Sequence, residues 1–463
     1  MTLLDVSITN VALPSIGASI DAGPAMLQWV VSGYTLAFGL VPVLAGRLGD
    51  DHGRRRMFLI GTGGFVVTSA LSGLAPSGGL LIACRVLQGI FGGLINPQVS
   101  GLVQQMFTGR DRGRAFGMIG SVVGVGTAAG PLVGGALIAL GGPDLGWRLV
   151  FFVNVPLGIA VIVLARRLLP SDLPVGRHRL DVLGAAMLGL ATFCILVAAV
   201  EYDAVRDLRL AWLVLPAALL AALLFRREHR LTRERADPLI DLRLFREPSY
   251  TVGVLLALTF FCGFTGLPLV LALYYQQGLG YTALESGLGV TAFALGSSVA
   301  APLAGRIVTR AGRPLVVLAC FAFALGAALL DLSVTHLGSG NVVAAFAVPL
   351  FVMGLGSGAV ITPNHTLSLA RVDPVSGSTA GGVLQTAQRI GSAVGQAVIG
   401  AVFFAAVPTL SGPGGEQRSD GYGVALQRAI AVTLVFIGLS LMLGLLDLLL
   451  TRRRSLSSPA PRV

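Results

Sequence analysis

The sequence predicts an all-α integral membrane protein of fourteen transmembrane helices, and three observations predict it. Hydrophobic residues make up 54% of the 463-residue chain and charged residues only 12%, where a soluble domain carries about 25% charged residues. The mean hydropathy is +0.82, and apolar runs long enough to cross a bilayer recur along the whole length. Short sequences also repeat in order at an offset of about 260 residues, which divides the chain into two homologous halves. Six helices in each half leave two as an insertion between them.

The runs lie near 3–20, 27–48, 57–76, 79–106, 113–141, 148–169, 180–200 and 209–226, then near 251–275, 285–308, 314–333, 342–370, 376–407 and 424–449. Residues 227–250 are the longest polar interruption and read as a central loop. The expected organisation is an N-terminal six-helix bundle over 1–170, two inserted helices and the loop over 171–250, a second six-helix bundle over 251–450, and a tail over 451–463. Residues 1–20 are not a signal peptide, because they lack a basic leader and carry Asp5, Thr9 and Asn10. No polar lead precedes this segment, so the first helix is expected to begin upstream of Met1. On that expectation Asp5 lies inside the membrane; with Met1 as the start it lies at the interface.

Net charge is +11, and all 33 basic residues are arginine. Twenty-six of them fall in loops on one side of the predicted spans, five on the other, and two, Arg85 and Arg389, inside spans. That asymmetry is the positive-inside pattern and puts both termini on the cytoplasmic side of a cell membrane. It is not the clustered basic patch of a nucleic-acid binder. Cys84, Cys194, Cys262 and Cys320 all fall in predicted spans without paired spacing, so neither disulfide nor metal site is expected.

The stretch "LAGRLGDDHGRR" at 44–55 returns as "LAGRIVTRAGRP" at 303–314, with Thr309 in place of Asp50. Likewise "GTAAGPLVGGA" at 126–136 returns as "GSAVGQAVIGA" at 391–401, with Gln396 in place of Pro131. Two parallel halves with a substrate held between them are a transporter design.

Four stretches carry chemistry. In "LDVSITNVALP" (Leu4–Pro14), an ionisable residue within a span is a functional hypothesis by default. Desolvation favours a neutral carboxyl group, which suits reversible proton binding at Asp5; the other reading is a cap on a short helix. In "GRLGDDHGRRR" (Gly46–Arg56), Asp50 is placed to meet a helix N-terminus or an arginine, or the loop serves only to anchor Arg54, Arg55 and Arg56 on anionic lipid. In "RVLQG" (Arg85–Gly89), an arginine that keeps its proton needs an anion inside the membrane, and Asp5 is the candidate; otherwise it hydrogen-bonds helix carbonyls. In "GTAAGPLVGG" (Gly126–Gly135), small residues allow close helix approach and Pro131 removes a backbone donor, which kinks the helix.

In this order the four stretches resemble the major facilitator superfamily and, within it, the 14-helix drug:proton antiporters of the EmrB/QacA type, over essentially the whole chain. The resemblance implies the major facilitator fold of two six-helix bundles plus two extra helices. It implies proton coupling at Asp5 and Arg85, and a cytoplasmic latch between the halves at Gly46, Asp50, Gly53 and Arg54. It implies an antiporter motif at Gly126, Gly130, Pro131, Gly134 and Gly135, a pattern that goes with exporters more than importers. Three positions depart from the pattern: Ser7 for threonine, Asp51 for arginine, and Phe91 for a small residue.

The implied function is export of drug-like or amphipathic small molecules in exchange for protons; the alternative is a proton-coupled symporter importing a small metabolite. No HExxH, nucleophile elbow or phosphate loop is present, so no catalytic residue and no enzyme are expected. The expected energy source is the proton gradient, without cofactor or metal. The expected partners are the bilayer, protons and a small-molecule substrate, without nucleic acid, and a monomer suffices. Thr9, Asn10, Gln88, Gln385, Arg389 and Gln396 are the candidate cavity-lining residues, Arg389 being open between cavity and helix cross-link. Asp447 reads as structural and snorkelling, Glu285 as an interface cap, and His365 as a satisfied core histidine. A cavity poor in acids points to uncharged or amphipathic substrates.

Overall fold

The computed structural model describes the chain apart from residues 171–180, 206–211, 235–238, 241, 282, 337–341, 408–414 and 458–463. In order, the helices are α1 (Thr2–Ile20), α2 (Pro24–Leu40), α3 (Pro42–His52), α4 (Arg54–Leu74), α5 (Gly78–Met106), α6 (Gly109–Phe152), α7 (Asn154–Leu168) and α8 (Val182–Val205). They continue as α9 (Val214–Arg233), α10 (Pro248–Leu273), α11 (Ala283–Gly289), α12 (Thr291–Ala311), α13 (Arg313–His336), α14 (Val342–Ser368), α15 (Gly377–Ala406) and α16 (Gly415–Ser457). No strand occurs among the described residues. A helix satisfies its own backbone, which a chain surrounded by hydrocarbon requires.

Among the described residues the apolar runs read from the sequence fall on helix. Among the described residues, nine helical segments are long and apolar enough to cross a membrane, and the bent pair α2–α3 makes ten. The boundaries differ where proline or glycine intervenes. The 27–48 run breaks at Val41, with a bend of 48°, because Pro42 has no N–H and its ring displaces the carbonyl one turn back. In α6 the helix persists through Pro131, and its one non-helical residue is Gly142, with φ 68° and ψ −172°. Gly142 falls where the predicted runs 113–141 and 148–169 part, a glycine free to take that conformation. The span that follows runs over Asp144–Leu168, with a turn at Val153 just before Asn154.

By contact the chain divides into two units. The first comprises Met1–Met106, Val125–Leu242 and Asp373–Thr386. Its core contains Ile8, Ile16, Val30, Leu81, Trp147 and Phe151, with Trp147 and Phe151 edge-to-face at 6.2 Å. The second comprises Phe107–Gly124, Arg243–Val372 and Ala387–Val463. Its core is richer in aromatics, with Phe260, Tyr275, Phe323, Phe346 and Phe403 fully buried. Phe260 meets Phe323 edge-to-face at 5.4 Å, a geometry favoured by the ring quadrupoles. Large apolar side chains such as Leu74, Leu140, Trp212 and Val348 point outward, as suits a lipid solvent and not water.

At the polar end of the α8–α9 pair, Arg227 donates to both carboxylate oxygens of Asp181 at 2.8–3.2 Å. Burial opposes ionisation of Asp181, but the Arg227 guanidinium and the Gly184 N–H outweigh it and hold the carboxyl below its usual range. Glu228 next to it makes no ion pair of this kind among the described residues. It is buried, accepts the Ile240 N–H at 3.2 Å, and its desolvation pushes the carboxyl up to about 7. The native state thus holds this proton more tightly than the unfolded chain. The stability it contributes is fully present below the ordinary glutamate value of 4.5 and is lost as pH rises through about 7. Glu228→Gln removes the cost. It is expected to raise stability at pH 8 by on the order of 2–3 kcal/mol and to leave it unchanged at pH 4, measured by thermal unfolding in detergent.

Candidate functional site

Asp5 sits in the first turn of α1 and is 1% exposed. It does not cap the helix. Its Oδ2 accepts a hydrogen bond from Arg85 Nη1 on α5 at 2.6 Å. Its Oδ1 accepts from Gln88 Nε2 at 3.1 Å and from Asn154 Nδ2, on α7, at 2.7 Å. Asn154 Nδ2 also donates to Ser69 Oγ on α4 at 3.1 Å, and Ser69 donates to the Phe151 carbonyl at 2.9 Å. Thr9 is buried one turn along and donates to the Asp5 carbonyl at 2.7 Å. Four helices thus converge on one carboxylate.

Arg85 is equally buried, at 1% exposure. Besides Asp5 it donates to Gln88 Oε1 at 2.7 Å and to the Val30 carbonyl at 3.2 Å. Its guanidinium carbon lies 4.3 Å from the Tyr34 ring centroid, close enough for a cation–π contribution. Both readings of this arginine hold: it pairs with the acid and it binds a helix carbonyl. Phe91, the departure in the same stretch, lies over Gly64, where a Cβ would collide with the ring. The bulk lost at one position offsets the bulk gained at the other.

Asp50 ends α3, 6% exposed. Its Oδ1 accepts from Arg54 Nε at 3.0 Å, Arg54 Nη2 at 2.7 Å and the Ser378 N–H at 3.1 Å. Its Oδ2 accepts from the Thr379 N–H and hydroxyl, both at 2.8 Å. Ser378 and Thr379 are in the first turn of α15, whose free N–H groups and dipole favour an anion. Arg54 extends the cluster to the carbonyls of Gly101 at 2.9 Å and Val375 at 3.1 Å, and to that of Pro374. Both partners expected of Asp50, a helix N-terminus and an arginine, are present together. Two glycines make this possible. A Cβ on Gly46 would fall on the Ser378 carbonyl and 2.8 Å from Thr379 Cα, and Gly53 reverses the chain at φ 101°. Asp51, the residue out of pattern, pairs with Arg47 at 3.1 Å.

The second copy of this turn is built alike. Gly305 is approached by the Gly113 carbonyl as Gly46 is by that of Ser378, and Gly312 has φ 58°. Arg313 is buried like Arg54, but its acid comes from elsewhere: Asp447 of α16, 1% exposed, stands in for the missing side chain at Thr309. Arg313 also donates to Asn364 Oδ1 at 3.1 Å and to the Ser249 carbonyl at 2.6 Å. Asp447 thus serves as the packed anion of Arg313, a structural role. Asp447→Asn leaves a buried guanidinium without its anion and is expected to cost about 3–5 kcal/mol, seen as a lower unfolding temperature in detergent.

The glycines of the Gly126–Gly135 stretch in α6 separate by role. Gly134 faces α1, where a Cβ would lie 3.1 Å from Ile8 Cγ2, whereas one on Gly126 or Gly135 would meet nothing within 4 Å. Gly130 is buried; the Pro131 side chain lies outside the described residues. In the echo, Gly391 and Gly395 press on the Leu258 and Cys262 carbonyls of α10. Of the candidate cavity residues, Thr9 and Gln88 join the Asp5 cluster and do not face open space. Gln385 reaches Ser100 Oγ at 3.5 Å. Arg389 is half-buried, and Asn10 and Gln396 are exposed. His365 Nε2 is 2.9 Å from Gln388 Nε2, while its Nδ1 is buried with no hydrogen-bond partner among the described residues. Glu285 is exposed on α11.

Asn154 and Ser69 were not among the residues to which the sequence pointed, although neutral Thr9, Asn10 and Gln88 were. The signal was there: Asn154 is an amide in an apolar run, two residues before Pro156, and a polar side chain at that depth needs a partner.

The family model described as the Major Facilitator Superfamily matches residues 1–396. The chain is 37% identical over 411 residues to a protein of Streptomyces coelicolor named "Probable actinorhodin transporter", covering 87% of this chain and 70% of that one. It is 34% identical over 411 residues to the "Tetracenomycin C resistance and export protein" of Streptomyces glaucescens, covering 86% and 73%. Its fold is similar to the crystal structure of a human organic anion transporter, with TM-score 0.63 and 15% identity over 96% of this chain and 97% of that one. With the ordered motifs, the paired Asp5 and Arg85 and the two repeat turns in place, the chain belongs to the major facilitator superfamily.

Proposed function

We propose that this protein exports antibiotic-like, uncharged or amphipathic small molecules across a cell membrane in exchange for protons. The observation that carries the reading is the Asp5–Arg85 pair, a titratable acid and a permanent cation buried together among apolar helices at 2.6 Å. Such a pair is costly to bury and is suited to a carboxyl group that exchanges its counter-ion for a proton. The names of the two bacterial relatives supply the direction, since one is a transporter and the other an export protein for antibiotics. The substrate class follows from charge: Asp5, Asp50 and Asp447 each face an arginine already.

On this reading α1, the 109–141 part of α6, α8 and α9 cross the membrane together with the ten spans above, fourteen in all. Both termini are cytoplasmic, and the Asp50–Arg54 cluster on α15 is the latch that closes the cytoplasmic side. The expected domains stand as a bundle over 1–170, an insertion over 171–250 and a bundle over 251–450. The gradient alone drives transport, with no cofactor and no catalysis, and a monomer suffices. The test uses everted membrane vesicles with an acid interior and a fluorescent reporter of that gradient. Adding antibiotics, dyes and neutral metabolites in turn is expected to dissipate the gradient for some antibiotic-like compound. A gradient dissipated only by a metabolite moving with the proton would overturn export in favour of import.

A further inference from the structure

Among the described residues every hydrogen bond to the Asp5 carboxylate comes from a donor. Arg85 Nη1, Gln88 Nε2 and Asn154 Nδ2 all point their hydrogens at it. That shell suits an ionised acid and nothing else, because a carboxylic O–H needs an acceptor. Gln88 Oε1 is already taken by Arg85 at 2.7 Å. Asn154 Oδ1 is buried and accepts no hydrogen bond among the described residues. It is the spare acceptor of the cluster, on the same amide whose nitrogen lies 2.7 Å from Asp5.

We propose that Asn154 is the positioning residue that lets Asp5 hold a proton in a buried site. Its amide donates to the carboxylate and, turned over by a half rotation about its last torsion, accepts from the carboxylic acid. The proton taken from water bonds to Asp5 Oδ1 and is shared with Asn154 Oδ1; Arg85 keeps all of its own. Ser69 accommodates both orientations. Its hydroxyl now donates to the Phe151 carbonyl at 2.9 Å and accepts from Asn154 Nδ2 at 3.1 Å; after the turn it redirects its hydrogen to Asn154 Oδ1. The neutral state is thereby supplied with an acceptor where a fixed donor would leave two hydrogens facing each other, at the full cost of an unmade buried bond. Among the described residues the charged group facing Asp5 is Arg85 from α5. It keeps its proton and accepts no hydrogen bond, so it does not replace the amide.

The inference rests on Asp5 being the proton site, and the experiment separates the two. Full-length protein in lipid is titrated by difference infrared spectroscopy, reading the carbonyl band of a protonated carboxyl group. In wild type a band that Asp5→Asn abolishes is expected, and its absence would overturn the parent reading. Asn154→Leu, similar in shape but with no acceptor to offer, is expected to move the band to higher wavenumber and to shift its pH midpoint downward by about one unit, a tenfold change. Asn154→Asp, which keeps an acceptor and places a second acid beside the first, is expected to shift the midpoint upward by about two units. It carries the test if the leucine variant does not fold. An Asp5-dependent band whose frequency and midpoint are the same in wild type and in both variants would overturn the role of Asn154 and leave that of Asp5 standing.

Discussion

Replacing Asp5 by asparagine is expected to reduce proton-driven efflux to background while substrate exchange without a gradient continues. The substitution keeps shape and removes the one group in the cluster that can take up a proton. It also leaves Arg85, 1% exposed, as a buried cation without its anion. Breaking one partner of such a pair costs about 3–5 kcal/mol, so loss of transport alone would not separate mechanism from misfolding. The double variant Asp5→Asn/Arg85→Gln resolves this. It removes both charges, is expected to recover most of the unfolding temperature, and is expected to recover no coupled transport. Recovery of coupled efflux in the double variant would place the proton elsewhere.

Breaking the Asp50 cluster is expected to have the second large effect. Asp50→Ala removes the acceptor of five hydrogen bonds, two of them from the N–H groups that open α15. Gly46→Leu puts a side chain where the Ser378 carbonyl lies. Either change separates the start of α15 from α3 and α5. Ser100, 4% exposed against Gly381 and Gln385, reports the separation. A Ser100→Cys thiol is expected to be protected from an impermeant maleimide in the otherwise wild-type protein. Adding Asp50→Ala is expected to raise its labelling by about a hundredfold, the population change that corresponds to some 3 kcal/mol. Equal labelling in both would show that the cluster holds nothing shut.

The spans were legible because hydropathy is a one-dimensional property and the bilayer imposes it on each segment separately. The break at Gly142 was legible too, since the predicted runs part between 141 and 148; the bend at Pro42 was not, because a proline marks a possible break and the surrounding packing decides whether it is used. Pro131 lies in continuous helix while Gly142 breaks it. The Asp5–Arg85 pair was readable by elimination, since a buried cation must find an anion and few were on offer. The partner of Arg313 was not, because Asp447 lies on a distant helix and its depth is set by tertiary packing. Asn154 and Ser69 carry no net charge, so no balance of charges pointed to them. Their role exists only where α1, α4, α5 and α7 meet. The repeat gave the turn and its buried arginine twice but concealed that the two copies draw their acids from different places, Asp50 within the turn and Asp447 outside it.

The most direct measurement follows protons on binding. Purified full-length protein in weakly buffered detergent, with a pH-sensitive dye, is mixed with a compound that responded in the vesicle assay. Wild type is expected to release protons as substrate binds, and Asp5→Asn, still binding the compound, is expected to release none. Equal proton release from the two proteins would contradict the assignment of the exchanged proton to Asp5.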